Sequence, residues 1–267
     1  MSKFVSPRVM IRARLRLEAL ETRCLLSDFT LGPVVQVSHY DPFAGCTADD
    51  PAHQSGTLYP DTELEPRLAV DPTNPDHLVG TFQQDRWSDG SARGLVTAVT
   101  FDGGNFWQEV VVPGLSRCSG GSSVRASDPW VSIGPTGDVY HIALVSNNVL
   151  VSKSTDGGFT WSVPIALANG PSDKETITAD PTDDQYVYAA WNLNGSETFS
   201  RSTDGGQTWE PARAIGGRVV DSHILVLPDG TLVDVYSSNP GLVLMSSTDK
   251  GQTWGPQIVV ARPGLLL

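Results

Sequence analysis

The sequence predicts an all-β fold, a β-propeller built of four-stranded antiparallel blades, and three observations carry that prediction. An eight-residue unit recurs four times at nearly constant spacing. Between copies lie short runs of strand-forming residues broken by Gly, Pro and Asp. The chain of 267 residues also holds 26 Gly and 19 Pro, so its backbone turns too often for long helices. With 39% hydrophobic residues it can bury one sizeable core or two small ones.

The repeated unit reads Ser154-Thr155-Asp156-Gly157-Gly158-Phe159-Thr160-Trp161, then Ser202-Thr203-Asp204-Gly205-Gly206-Gln207-Thr208-Trp209, then Ser247-Thr248-Asp249-Lys250-Gly251-Gln252-Thr253-Trp254. A degenerate first copy, Thr100-Phe101-Asp102-Gly103-Gly104-Asn105-Phe106-Trp107, puts Phe106 where the others have Thr. The four aspartates lie 54, 48 and 45 residues apart, the length of one four-stranded blade. Asp followed by glycines suits a tight turn, because the carboxylate accepts backbone N–H groups while Gly adopts positive φ. Each Trp is expected to fold its ring back against its own blade; ligand stacking is the alternative role for these rings. The octets match the Asp-box, S-x-D-x-G-x-T-W, and on these residues the chain resembles the sialidase-like BNR-repeat superfamily over about three quarters of its length.

The strands fall in the same order in every unit. The first opens on Arg67-Leu68-Ala69-Val70, ahead of the turn at Asp71. The second runs Trp130–Ile133, a turn at Gly134, Val139–Leu144, then Val149–Ser152 into the octet. The third uses Thr176–Ala179, Tyr186–Trp191 and Thr198–Arg201, and the fourth His223–Val226 and Leu232–Tyr236. The expected organisation is a basic leader over 1–27, a loop-rich lead-in over 28–59, and a propeller over 60–267. Its blades fall at about 60–115, 124–168, 172–216 and 219–262. Turn aspartates follow no EF-hand spacing and read as turn formers rather than calcium ligands.

Counting back six positions from the first turn residue of each unit lands on Glu65, Asp128, Lys174 and Asp221, with Arg67, Trp130, Thr176 and His223 two places on. Inner strands of a propeller start at the mouth of its channel, so these residues converge there. With Glu175 beside Lys174, the candidate ligand-binding set is Glu65, Asp128, Trp130, Glu175 and His223. A polar, carboxylate-rich funnel with an aromatic at its edge suits a sugar; the alternative is that strand starts are simply solvent-exposed and polar.

The superfamily resemblance implies exo-α-sialidase chemistry. Arg67 precedes Arg86 by 19 residues, with Asp89 close behind, matching the spacing of an arginine pair and an acid/base Asp. Paired guanidinium groups bind a carboxylate bidentately. The sequence departs from the family pattern at Pro66 and Ala69, where an aromatic and a proline are expected, and it shows four units where a sialidase propeller has six. The Tyr nucleophile of that family, its partner Glu and further arginines belong to later blades. The expected function is an exported propeller directed at glycans, either a sialidase-type exo-glycosidase or a catalytically degenerate, truncated relative. The alternative is a non-enzymatic scaffold that meets protein partners through a propeller face.

Lys and Arg number 18 against 30 Asp and Glu, a net charge of −12. Such a surface repels phosphate backbones, so nucleic acid is not expected as a partner. No apolar run reaches the roughly 20 residues of a membrane span. The cysteines, Cys24, Cys46 and Cys118, fit no zinc or redox spacing. Cys46 and Cys118 are read as a disulfide of an exported protein, with two unrelated thiols as the alternative. No GxGxxG or P-loop is present and the histidines are scattered, so neither cofactor nor metal is implied. The stretch Leu15–Ser27 resembles the N-terminal segment of exported planctomycete-type bacterial proteins, which implies extracellular or cell-surface placement.

Overall fold

The computed structural model describes residues 32–239 and 241–262. The chain divides into two compact units, Met1–Val34 and Val35–Leu267. Of the first, only residues 32–34 are described, and they carry no regular secondary structure. The leader expected over 1–27, with Cys24, lies outside the described residues.

Among the described residues, sixteen strands form four four-stranded antiparallel sheets, which is the predicted architecture. The first sheet comprises β1 (Leu58–Val70), β2 (Leu78–Trp87), β3 (Ala92–Thr100) and β4 (Gln108–Val111). The second holds β5 (Ser127–Ile133), β6 (Val139–Val145), β7 (Asn148–Ser154) and β8 (Ile165–Asn169). The third holds β9 (Ser172–Ala179), β10 (Val187–Leu193), β11 (Ser196–Ser202) and β12 (Arg213–Arg218). The fourth holds β13 (Ser222–Val226), β14 (Leu232–Ser237), β15 (Leu242–Ser247) and β16 (Ile258–Ala261). Each sheet is a simple meander, and β1, β5, β9 and β13 pack side by side in chain order. Among the described residues the four sheets do not close into a ring. No helix among the described residues is long and apolar enough to cross a membrane.

Strand composition follows from this stacking. Central strands such as β6 and β10 lie between two neighbouring sheets and read as nearly continuous apolar runs. The core is therefore a series of seams. Tyr140, Ile142 and Val151 of the second sheet interleave with Ile177, Val187 and Trp191 of the third. Each such side chain, fully buried, is worth about 1.5–3 kcal/mol.

The octets connect the third and fourth strands of each sheet. In the second, Asp156 Oδ1 accepts the amides of Phe159 and Thr160 at 3.1 and 2.9 Å, and Oδ2 accepts the Thr160 hydroxyl at 2.6 Å. The Ser154 hydroxyl donates to Asp156 and accepts the Gly158 amide, which closes the loop on itself. In the first copy Asp102 keeps the two amide bonds, but Phe106 has no hydroxyl for the third.

The Trp rings correct an expectation. Trp161, Trp209 and Trp254 do not fold onto their own blade alone; each packs into a cluster shared with the preceding blade. The reason is the direction of the turn, which projects toward the neighbour. Gly158, at φ 105°, sits so close to Val99 of the first blade that an added Cβ would lie 2.9 Å from it. Donors on the preceding blade hold the turn there. His77 reaches the Gly157 carbonyl at 3.0 Å, Lys153 reaches that of Gly205 at 2.8 Å, and Arg201 reaches that of Lys250 at 2.7 Å.

The lead-in covers the first blade. Phe43 is buried with Phe82, Val96 and Trp107, and its ring occupies the space a side chain at Gly94 would need. Cys46 and Cys118 are joined by a disulfide with Cα atoms 5.9 Å apart. Arg93 Nε binds Asp49 at 2.9 Å and Arg93 Nη1 binds Asp85 at 3.4 Å, both buried.

Candidate functional site

The first three inner strands carry the same distortion at the same point. Pairing of β1 with β2 slips between Leu64 and Arg67, that of β5 with β6 between Ser127 and Trp130, and that of β9 with β10 between Asp173 and Thr176. Inside these bulges Glu65, Asp128 and Lys174 adopt φ of 52°, 49° and 56°. Non-glycine residues in that region cost about 1–3 kcal/mol each and persist where surrounding structure holds them, commonly at binding sites. On the fourth blade Asp221 precedes β13 without such a slip.

The bulges turn their side chains into one cavity of about 550 Å³, lined by residues of all four blades. Every position reached by counting back from the turns is there: Glu65, Asp128, Lys174 and Asp221, with Arg67, Trp130, Thr176 and His223. Glu175 joins them. The guanidinium of Arg67 stacks on Trp130 at 4.3 Å, and His223 meets the same ring edge-on at 5.0 Å. Lys174 Nζ binds Asp128 at 3.2 Å, and the Gln83 amide donates to Glu65 at 2.6 Å.

Three carboxyl groups in and beside the funnel, Glu65, Asp173 and Glu175, hold their protons unusually well. Burial pushes Glu65 up, with help from the charge of Asp128 and against Lys174 and Gln83. Asp173 is raised by burial and by Asp128, although Lys174 pulls it down. Glu175, fully buried, is raised furthest, by burial and then by Asp128. Burial and the charge of Arg67 lower His223, so its imidazole favours the neutral form.

Two of the three residues aligned with sialidase catalysis are elsewhere. Arg67 lines the funnel, but Arg86 does not; its guanidinium reaches only the Gly90 carbonyl at 3.4 Å. Asp89 opens on a separate cavity beside Ser55, Ser91 and Arg125 and is ion-paired with Arg125. Burial alone would raise the Asp89 carboxyl, but Ser91 and Arg125 outweigh it and hold it below the usual range, the reverse of what a general acid needs. Chain spacing matches the family pattern, but Arg86, near the end of β2, and Asp89, in the loop after it, both lie away from the channel.

A buried acidic pair behind the funnel was not singled out from sequence. Glu197 and Asp234 are both fully buried, and the Ser222 hydroxyl donates to Asp234 at 3.2 Å. Burial, reinforced by Asp234, pushes Glu197 up to about 9, and burial pushes Asp234 up to about 7 against the Ser222 bond. The available signal was an acid at an inward position of the alternation Leu232-x-Asp234-x-Tyr236. Among the described residues the one His/Cys/Asp/Glu group close enough to share a metal ion is Cys46, Asp49 and Cys118, whose sulfurs are spent on the disulfide.

No family model matches the chain, and no curated protein matches it in sequence. Solved structures do match its fold. A Hadza microbial sialidase superposes with a TM-score of 0.54 at 20% identity, covering 75% of this chain and 47% of that one. A leech intramolecular trans-sialidase, complexed with 2,7-anhydro-Neu5Ac, gives 0.56 at 10% identity over 85% and 54%. An α-L-arabinanase from Penicillium chrysogenum, complexed with arabinobiose, gives 0.52 at 16% over 73% and 67%. The likeness is to propeller glycoside hydrolases as a fold. This chain spans about half the length of the two sialidase structures.

Proposed function

We propose that the four-blade funnel binds a glycan and that the protein is an exported, sialidase-like propeller. The observation that carries this reading is the convergence of Glu65, Asp128, Trp130, Glu175 and His223 on one cavity, three of the strands being distorted to bring it about. Sugar hydroxyls need hydrogen-bond partners and sugar rings pack on aromatics, and the funnel offers both. The fold likeness to a sialidase, a trans-sialidase and an arabinanase adds support by analogy. A disulfide between Cys46 and Cys118 supports export, since such bonds persist in oxidising compartments.

Sialidase-type hydrolysis is the narrower reading, and the separation of Arg86 and Asp89 from Arg67 weighs against it. Groups that act as a unit lose most of their effect when one is displaced. Calorimetric titration of the intact protein with glycans of differing charge tests the binding, with Trp130→Ala expected to weaken it about tenfold or more. A fluorogenic sialoside tests the chemistry. No turnover is expected; turnover abolished by Asp89→Asn or Arg86→Ala would establish the sialidase reading instead.

A further inference from the structure

Glu175 is 2% exposed and lines the funnel, and neither of its carboxyl oxygens has a hydrogen-bond partner. A buried polar group left unpaired is costly, and structures that retain one usually have a use for it. Its surroundings indicate which ligand group would satisfy it. Glu65 stands on β1, Asp128 on β5, Asp221 beside β13, and Asp173 two residues before Glu175 on its own strand. Two cations face them, and both are committed: Arg67 lies on the Trp130 ring and Lys174 is bound to Asp128. Carboxyl groups therefore outnumber cations around the cavity, and the missing partner is a hydrogen-bond donor with positive charge.

We propose that the funnel takes a sugar bearing a free amine, its ammonium seated among Glu175, Glu65 and Asp128; this inference rests on the glycan reading above. An ammonium carries three donors and no acceptor, which suits three carboxyl groups. A sialic acid would bring its carboxylate against the same groups, and an N-acetylated amine would bring an acceptor and no charge. Burial and the charge of Asp128 hold the proton on Glu175 in the free protein. An arriving ammonium reverses the balance, because a cation in contact favours the ionised carboxylate. The proton leaves for solvent as the ammonium takes its place. Affinity accordingly rises with pH as Glu175 gives up its proton, until the sugar amine itself deprotonates. Burial and the charge of Arg67 also disfavour the imidazolium form of His223, which limits competing charge there.

The experiment is calorimetry on the intact protein with three probes: a glucosamine disaccharide with free amines, the same disaccharide N-acetylated, and a sialylated trisaccharide. Titrations in two buffers of different ionisation enthalpy count the protons released. The free-amine sugar should bind about tenfold more tightly than its acetylated form, the factor one charge-assisted hydrogen bond supplies, and release close to one proton. Glu175→Gln should abolish both the preference and the release. Equal binding of the two disaccharides, tighter binding of the sialylated sugar, or binding without proton release overturns the inference and leaves the glycan reading standing. Binding of none of the three overturns both. General attraction of an amine to an acidic protein of net charge −12 would survive Glu175→Gln, and a preference that survives it also overturns the proposal. Proton counting on the unaltered protein decides the question even where the variant does not fold.

Discussion

The guanidinium of Arg67 lies 4.3 Å from the centre of the Trp130 ring, and His223 closes on the ring's edge at 5.0 Å. Residues from the first, second and fourth blades thus form one stack across the funnel. The contact assigns Arg67 a different task from the one its spacing to Arg86 suggests. A guanidinium over an indole gains about 0.5–2 kcal/mol by orientation alone and fixes the ring on which a sugar would pack.

Arg67→Ala should therefore weaken binding of neutral and acidic sugars by the same modest factor, since it loosens a platform rather than removing a clamp. Titration with a matched pair of neutral and sialylated oligosaccharides checks this. Selective loss of the sialylated sugar would show that Arg67 holds a carboxylate after all.

Asp156→Ala should destabilise the protein by about 1–3 kcal/mol, because it removes the acceptor of the Phe159 and Thr160 amides and of the Ser154 and Thr160 hydroxyls. Denaturant unfolding measures the loss. The octet is remote from the funnel, so glycan affinity should not change; a binding defect with unaltered stability would recast the Asp-box as a ligand site.

Much of the architecture was legible because it is written in local chemistry. Alternation and turn residues placed the strands, and the octets fixed the number of blades. A constant count from turn to bulge located the funnel residues, even though Glu, Asp and Lys give no warning of the positive φ at Glu65, Asp128 and Lys174. What stayed hidden depends on neighbouring blades. No local pattern says that Trp161 wedges against the first blade, that the loop after β2 carries Asp89 to Arg125, or that Glu197 and Asp234 meet from different sheets.

Reduction of the Cys46–Cys118 bond should cost about 2–4 kcal/mol, the range for a long loop; the two cysteines are 72 residues apart. The bridge ties the lead-in to the segment before β5, so the loss should fall chiefly on the packing of Phe43 against the first blade. Mass spectrometry after alkylation without reductant should find both sulfurs blocked. Free thiols in the native protein would remove the basis for this prediction and one support for export.

Glu197 and Asp234 make stability fall as pH rises. In the unfolded chain they titrate near 4.5 and 3.8; in the folded protein burial pushes them up to about 9 and about 7, with Asp234 adding to the rise at Glu197. The folded state thus binds more protons than the unfolded state between those limits. Their contribution to stability is complete below about pH 4, where both are protonated in folded and unfolded chain alike, and is lost progressively as pH climbs through 7 toward 9. Glu197→Gln removes one of the two ionisations by replacing the carboxyl with a neutral amide. It should stabilise the protein at pH 9 by about 1–3 kcal/mol, the usual penalty of an unsatisfied buried polar group, and change little at pH 5. Urea unfolding of both proteins at pH 5, 7 and 9 provides the comparison. A wild-type stability that stays level across this range would mean that the two carboxyl groups are hydrated or paired, and that the third and fourth blades do not bury two acids that resist ionisation.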